Sequence, residues 1–288
     1  IMKFIFFGAG YCSRFVIPLL PMGTEIICTH NEAIKKQEND KMYSLKRLKL
    51  KDFLKKKDFY MENVSCILNS IPPSQNGDII LKKFSNLIIS NKKTLQWYGY
   101  FSSTSVYGNH DGKWVDELSN TAPTSKRGIL RLETENSHLD LFKSMPFPLH
   151  IFRLPGIYGP GRSVFDKIKN NEIFEIIKEN HYFSRIHVDD IASAILKSIS
   201  KPTPGEIFNL TDDHPCQSSE VVRFASTFLK KIKVKKINFD DEKLNKKTQS
   251  FYKDNKKVKN KKIKKILGWT PKYRNYKLGL RSIYNLIK

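Results

Sequence analysis

The sequence contains no run of about 18 apolar residues, so no segment is expected to span a membrane. Its apolar start, Met2–Phe7, is interrupted by Gly8, Gly10 and Arg14 without a small-residue cleavage pattern, and no signal peptide is expected. Cysteine is scarce. Cys12, Cys28, Cys66 and Cys216 form neither a CxxC nor any zinc-ligand spacing. A disulfide framework and a cysteine-ligated zinc site are both excluded on that ground, no metal is expected, and the pattern points to a reducing, cytoplasmic compartment. Arginine is missing from Lys230–Lys265, where 16 lysines face 4 acidic residues. With few aromatics and no nucleic-acid motif, that segment reads as a solvated lysine face within a chain of net charge +23, not as a polyanion-binding arm.

The apolar residues, 40% of the chain, suffice for a large core. Strands are expected at Met2–Phe7, Glu25–Thr29, Cys66–Ile71, Leu95–Ser102, Leu149–Leu154 and Glu206–Leu210. Helices are expected at Arg14–Leu20, Ile79–Ile89, Thr124–Met145, Val164–Ile177, Asp189–Ile199, Ser218–Phe228, Ile263–Leu267 and Leu278–Ile287, with Gly268 as a C-cap. Alternating strands and helices predict an α/β fold, a Rossmann-type doubly wound parallel sheet. The expected domain is 1–160, completed by 184–216, with a smaller substrate-side lobe made of 161–183 and 217–288.

The first strand runs into Gly8-Ala9-Gly10-Tyr11-Cys12-Ser13 and then a helix, the setting in which a glycine loop receives a dinucleotide pyrophosphate. Gly8 permits the tight turn. Gly10 lets the phosphate approach the backbone beside Tyr11 and Cys12. The second strand ends Cys28-Thr29-His30-Asn31, with no carboxylate for a ribose 2′-hydroxyl. Thr29, His30 and Asn31 can instead hydrogen-bond a 2′-phosphate, so NADP is favoured over NAD.

The stretch from Trp97 to Glu135 resembles the active-site region of the extended short-chain dehydrogenase/reductase family, which includes sugar-nucleotide epimerases and dehydratases. There a strand ends Ser-Ser/Thr-x-x-Val-Tyr-Gly, and a helix later carries Pro-x-x-x-Tyr-x-x-x-Lys-x-x-x-Glu. Here Ser103, Val106-Tyr107-Gly108, Pro123 and Glu135 keep the frame, while Arg127 stands at the tyrosine and Arg131 at the lysine position. Further segments resemble the family in order: Phe152–Arg162, Arg185–Ala192, Gly205–Leu210 and Ile266–Pro271. The Arg127-Gly128-x-x-Arg131 variant, Trp97–Ser103 and Gly112–Glu117 resemble its atypical, YeeZ-like branch. The resemblance implies a cofactor-binding role for Ser70, Pro72, Ser102, Pro155 and Ile157. It also implies a substrate side near Tyr107, Arg162 and Arg185, and a homodimer through helices including Thr124–Met145.

In ordinary members the tyrosine is the acid/base and the serine polarises the substrate oxygen. Arginine keeps its proton at neutral pH, so Arg127 cannot act that way, but it can grip a phosphate or carboxylate through a bidentate fork. Ser103, Arg127, Arg131 and Tyr158 are the candidate catalytic residues. Tyr107, His110 and His187 are further titratable candidates, although a packing aromatic is the preferred reading of Tyr107 and a solvated loop residue that of His110. The dehydratase subclass needs an Asp-Glu pair where Thr104 and Ser105 stand. Two readings stay open: an NAD(P)-dependent enzyme acting on a nucleotide-sugar-like or other anionic small molecule, and a cofactor-binding sensor or scaffold without turnover.

Overall fold

The structure is a computed structural model, which describes residues 2–31, 44–170, 173–229, 233–240 and 244–288. In chain order the strands are β1 (Lys3–Phe7), β2 (Glu25–His30), β3 (Ser44–Lys49), β4 (Cys66–Asn69), β5 (Trp97–Ser103), β6 (Trp114–Val115), β7 (Leu149–Leu154), β8 (Gly156–Tyr158), β9 (Glu175–Ile177), β10 (Arg185–His187), β11 (Glu206–Asn209), β12 (Lys236–Asn238) and β13 (Lys257–Val258). The helices are α1 (Ser13–Val16), α2 (Leu50–Lys55), α3 (Lys57–Met61), α4 (Ile79–Ser90), α5 (Lys126–Ser144), α6 (Val164–Lys169), α7 (Val188–Ser200), α8 (Ser218–Ser226), α9 (Lys246–Phe251), α10 (Lys261–Leu267) and α11 (Tyr276–Ile287).

The chain divides into two units of comparable size. The first comprises Ile1–Ser103, Leu130–Arg153 and Ile191–Phe208; the second comprises Thr104–Ile129, Leu154–Asp190 and Asn209–Lys288. The division differs from the expected boundary at residue 160. Residues of the loop after β5 find their partners in the second unit: Val115 pairs with Val258, and His110 N–H donates to the Asn255 carbonyl.

A seven-stranded sheet in the order β11-β7-β5-β4-β1-β2-β3 organises the first unit. β1 pairs in parallel with both β2 and β4, so the strand order reverses between β1 and β4, where doubly wound sheets leave a crevice at the strand C-termini. The period of two sends Ile5 and Phe7 to one face and Phe4 and Phe6 to the other. Ile5 and Phe7 join Ile27, Phe53, Tyr60, Phe84, Tyr98 and Ile151 in one core. On the opposite face Phe4 stacks on Phe6, and buried Trp97 donates its indole N–H to Ser198 of α7 at 2.9 Å. Both faces are covered, which is why these strands read as continuous apolar runs.

β3 was not expected. Its sequence, Ser44-Leu45-Lys46-Arg47-Leu48-Lys49, carries more charge than a buried strand tolerates, yet it is the sheet's edge, where lysine is common. The helix expected over Val164–Ile177 stops at Lys169, and Glu175–Ile177 is a strand paired with β12. Ser163 and Asp166 close a capping box that fixes the start of α6. The first helix is also shorter than expected, a single turn at Ser13–Val16 continued by a 3-10 turn, Ile17–Leu19, that holds Pro18.

One buried charged cluster crosses the first unit. Glu135 of α5 accepts from Nε and Nη2 of Arg153 on β7 and from the Ser102 hydroxyl on β5. The two charged side chains are 1% and 5% exposed. Removing one partner leaves the other charge buried without compensation, at a cost of about 3–5 kcal/mol. Glu135→Ala is therefore expected to lower the unfolding free energy by about 3–5 kcal/mol in urea titration. The double variant Glu135→Leu/Arg153→Met is expected to recover most of that loss, and equal destabilisation in both variants would contradict this account.

Candidate functional site

The turn after β1 is built from residues far apart in sequence. Gly8 has φ +76°, and a Cβ there would lie 2.8 Å from the Ile71 side chain. Its N–H donates to the Thr29 hydroxyl at 3.1 Å, its carbonyl accepts from the Ser70 hydroxyl at 2.7 Å, and Ala9 N–H donates to the Thr29 carbonyl. The Ser13 hydroxyl caps back onto the Gly10 carbonyl at 2.7 Å. Over Gly10 the space is open: a Cβ built there meets only the Gly8 carbonyl, at 3.7 Å. The residues present therefore fit a pyrophosphate lying across this turn, at the crevice between β1 and β4. Because α1 is one turn long, its dipole is slight, and the backbone of the loop carries more of that task.

At the end of β2 the expected residues separate. Thr29 is fully buried, with its hydroxyl occupied by the Gly8 turn. His30 faces Arg47 of β3, whose Nη1 lies 3.5 Å from Nε2. Burial, then Arg47, then Arg14 hold the imidazole below its ordinary pKa, so it is neutral at pH 7. Arg47 was missed because β3 was not expected; its two apolar residues, Leu45 and Leu48, are three apart and give no strand alternation. Asn31 is exposed and closes the described part of this end. Ser70 braces the glycine turn, and Pro72 is exposed beyond it.

The two exchanged arginines have different environments. Arg131 donates to the Tyr100 hydroxyl at 3.2 Å and to the Phe101 carbonyl, which fastens α5 to β5 within the first unit. Burial pushes the Tyr100 phenol up to about 12 against the lowering effect of Arg131. Arg127, in the second unit, is exposed, and no ion pair to it is present among the described residues. Ser103 ends β5 in the first unit, next to Ser102, whose hydroxyl goes to Glu135.

The other candidates lie in the second unit. Tyr107 is fully buried and donates to Asn209 Oδ1 at 2.7 Å. His110 Nε2 sits 3.0 Å from the Tyr107 carbonyl and 3.2 Å from that of Asn120. Pro155 precedes β8, and Ile157 pairs with Ile186 across β8 and β10. Arg162 is exposed on the loop after β8. Arg185 Nη1 donates to the Phe183 carbonyl and to Cys216 Sγ at 3.1 Å.

The structure brings Tyr158 and Arg185 together with His187, itself a candidate from the sequence, and with two residues that the sequence did not single out, Asp212 and Gly279. The Tyr158 hydroxyl rests where a side chain on Gly279 would be, 2.2 Å from its ideal Cβ. Burial, then the nearby Asp212 and Asp190, raises that phenol beyond any acid/base use near neutrality. The Asp189 N–H donates to His187 Nδ1 at 3.2 Å, which places the proton of the neutral imidazole on Nε2. Burial lowers His187 to about 4 and raises Asp212 to about 8. Tyr158 Oη, His187 Nε2 and Asp212 Oδ2 have no hydrogen-bond partner among the described residues. Asp190 turns outward from α7 to accept the backbone N–H groups of Lys272 and Tyr273, at 2.6 and 3.0 Å.

No protein-family model matches the chain. It is similar to a functionally unknown conserved protein from Silicibacter pomeroyi DSS, with 34% identity, TM-score 0.86 and 99% of each chain covered. It is 24% identical over 268 residues to the ADP-L-glycero-D-manno-heptose-6-epimerase of Brachyspira hyodysenteriae, covering 81% of this chain and 83% of that protein. The UDP-glucuronic acid 4-epimerase from Bacillus cereus, solved in complex with NAD, shares the fold at 16% identity and TM-score 0.76, over 99% and 98% of the two chains. Among the described residues no helix is long and apolar enough to cross a membrane, and no group of side chains could hold a metal ion.

The buried Asp212 gives a signed pH dependence. Its carboxyl ionises near 3.8 in the unfolded chain and near 8 in the fold. Between these values the folded protein holds a proton that the unfolded chain has lost, so this group's contribution to stability falls as pH rises from about 4 to about 8. Asp212→Asn removes that fall. The stability of the variant relative to the parent, measured by urea unfolding at a series of pH values, is expected to increase steadily across this window. A difference that does not change with pH would refute the assignment.

Proposed function

We propose, from the premise that the chain belongs to the extended short-chain dehydrogenase/reductase family, that it is an NADP-dependent oxidoreductase or epimerase. Its proposed substrate is a nucleotide-sugar-like or other anionic small molecule, and it works without the usual tyrosine acid/base. The observation that carries the cofactor reading is the glycine turn: a left-handed Gly8 locked by Thr29 and Ser70 beside an open Gly10. NADP is preferred to NAD because the end of β2 lacks a carboxylate and has Arg47 and Arg14 within electrostatic reach of His30. A 2′-phosphate would gain from that charge, and a carboxylate-dependent ribose contact is missing.

The nicotinamide of such a cofactor supplies a hydride acceptor or donor when bound. The chain supplies binding and orientation. In this reading Ser103 donates a hydrogen bond to a substrate oxygen. Arg131 is a positioning residue, because its guanidinium already holds α5 to β5. Arg127, exposed and charged, grips the anionic group. None of Tyr107, Tyr158 and His187 is placed to exchange a proton with a bound molecule: each is buried at its polar end or bonded within the protein. Without side-chain proton transfer the rate is lower by about 10²–10⁴, which suits slow turnover. The same burial favours the second reading, a cofactor-binding protein without turnover.

Two measurements separate these statements. Titrating NADP and NAD against the protein is expected to show tighter binding of NADP, and Arg47→Ala should weaken NADP by about tenfold or more while leaving NAD almost unchanged. No binding of either dinucleotide below about millimolar would overturn both readings. Arg127→Tyr restores a phenol at the family's acid position and is expected to raise NADPH-dependent reduction of simple carbonyls by about tenfold or more. If NADP binds yet neither the parent nor this variant turns over any carbonyl, the reading without turnover stands.

A further inference from the structure

A cavity of about 370 Å³ in the second unit belongs to none of the residues discussed so far as cofactor or substrate contacts. Its size is at the small end of ligand pockets, about 300–1,000 Å³, enough for a mononucleotide and too small for a dinucleotide. Its wall is set by the parallel pairing of β6 with β13, in register Lys257↔Trp114 and Val258↔Val115. Val115 and Val258 turn inward, at 1% and 2% exposure, so the period of two turns Trp114 and Lys257 outward together, with Lys259 following on the same side.

Trp114 is 47% exposed, while Trp97 and Trp269 are buried. The cavity is lined by this indole and by Lys259, Lys261 and Lys264, with Asp213 paired to Lys264 and Asp116 at 4.0 Å from Lys259, so that three lysines meet two ionised carboxylates. Asn260 holds the wall rigid by donating to the Thr211 and Asp212 carbonyls and to Asp213 Oδ1. Asp212 also lines the cavity, and its carboxyl, raised to about 8, is neutral at pH 7 and does not repel an anion. The lining thus joins an aromatic platform to a surplus of positive charge on a preorganised backbone.

We infer that this cavity is a binding site for a nucleoside monophosphate, with the base stacked on Trp114 and the phosphate met by Lys259 and Lys261. Stacking on an aromatic side chain and charge-assisted contact with phosphate are the two interactions such a ligand requires. Every lining residue belongs to the second unit, and the inference does not depend on the dinucleotide reading.

The test uses the fluorescence of the intact protein, because Trp114 alone of the three tryptophans is open to a ligand. Uridine 5′-monophosphate is expected to quench it saturably with a midpoint below about a millimolar. Uridine alone and inorganic phosphate alone should each be weaker by about tenfold or more, since each lacks one of the two contacts. Saturating NADP should leave the midpoint unchanged. Lys259→Ala/Lys261→Ala should weaken binding by about tenfold or more with the far-UV spectrum preserved. Trp114→Phe should lose the signal while calorimetry still detects the nucleotide. Absence of saturable quenching overturns the inference. So does equal binding of phosphate alone, and so does affinity that grows with the length of an oligothymidylate, which would mark a strand-binding surface instead.

Discussion

The buried contact among Arg153, Glu135 and the Ser102 hydroxyl sets the relation of three elements at once. It joins β7, α5 and β5 through one carboxylate that is 1% exposed. A helix brings residues four apart onto one face, so Glu135 and Arg131 both look toward β5, where they engage Ser102 and the adjacent Phe101. The phase of α5 is thus fixed by Glu135 and Arg131 together. Of the two exchanged positions, Arg131 has become part of that frame through Tyr100 and Phe101, while Arg127 is exposed.

The dinucleotide turn shows the same economy in another place. Its left-handed glycine is held by a threonine from β2 and a serine beyond β4, so the loop is shaped by the two strands that flank β1. The helix that follows is too short to hold the loop by itself. What the first helix loses through Pro18, the neighbouring strands replace.

Much of this was legible in the sequence, because the buried strands and long helices obey simple periods. β7 occupies the residues expected of it, α4 differs by one, and Gly268 ends α10 in the left-handed conformation, φ +65°, that a C-cap glycine serves. The parallel sheet followed from apolar runs that only two-sided burial explains. Other features were not legible. β3 takes its stability from pairing with β2, which no local pattern of lysines announces. The segment after α6 changes from helix to strand because it pairs with Lys236–Asn238, some sixty residues on. The clustering of Tyr158, His187 and Asp212 depends on Gly279, whose missing side chain makes room for the phenol, and no spacing rule connects those positions.

β3 meets two demands with one set of residues. As the open edge of a seven-stranded sheet it exposes backbone groups to any other strand that approaches, and Lys46, Arg47 and Lys49 discourage such pairing by repulsion. Arg47 also stands beside His30 at the mouth of the dinucleotide crevice. Under the proposed NADP reading, cofactor choice and resistance to aggregation draw on the same charges. An engineer who neutralised this strand to suit a different dinucleotide would also be removing a guard against self-association, and would do better to place a new carboxylate at the end of β2.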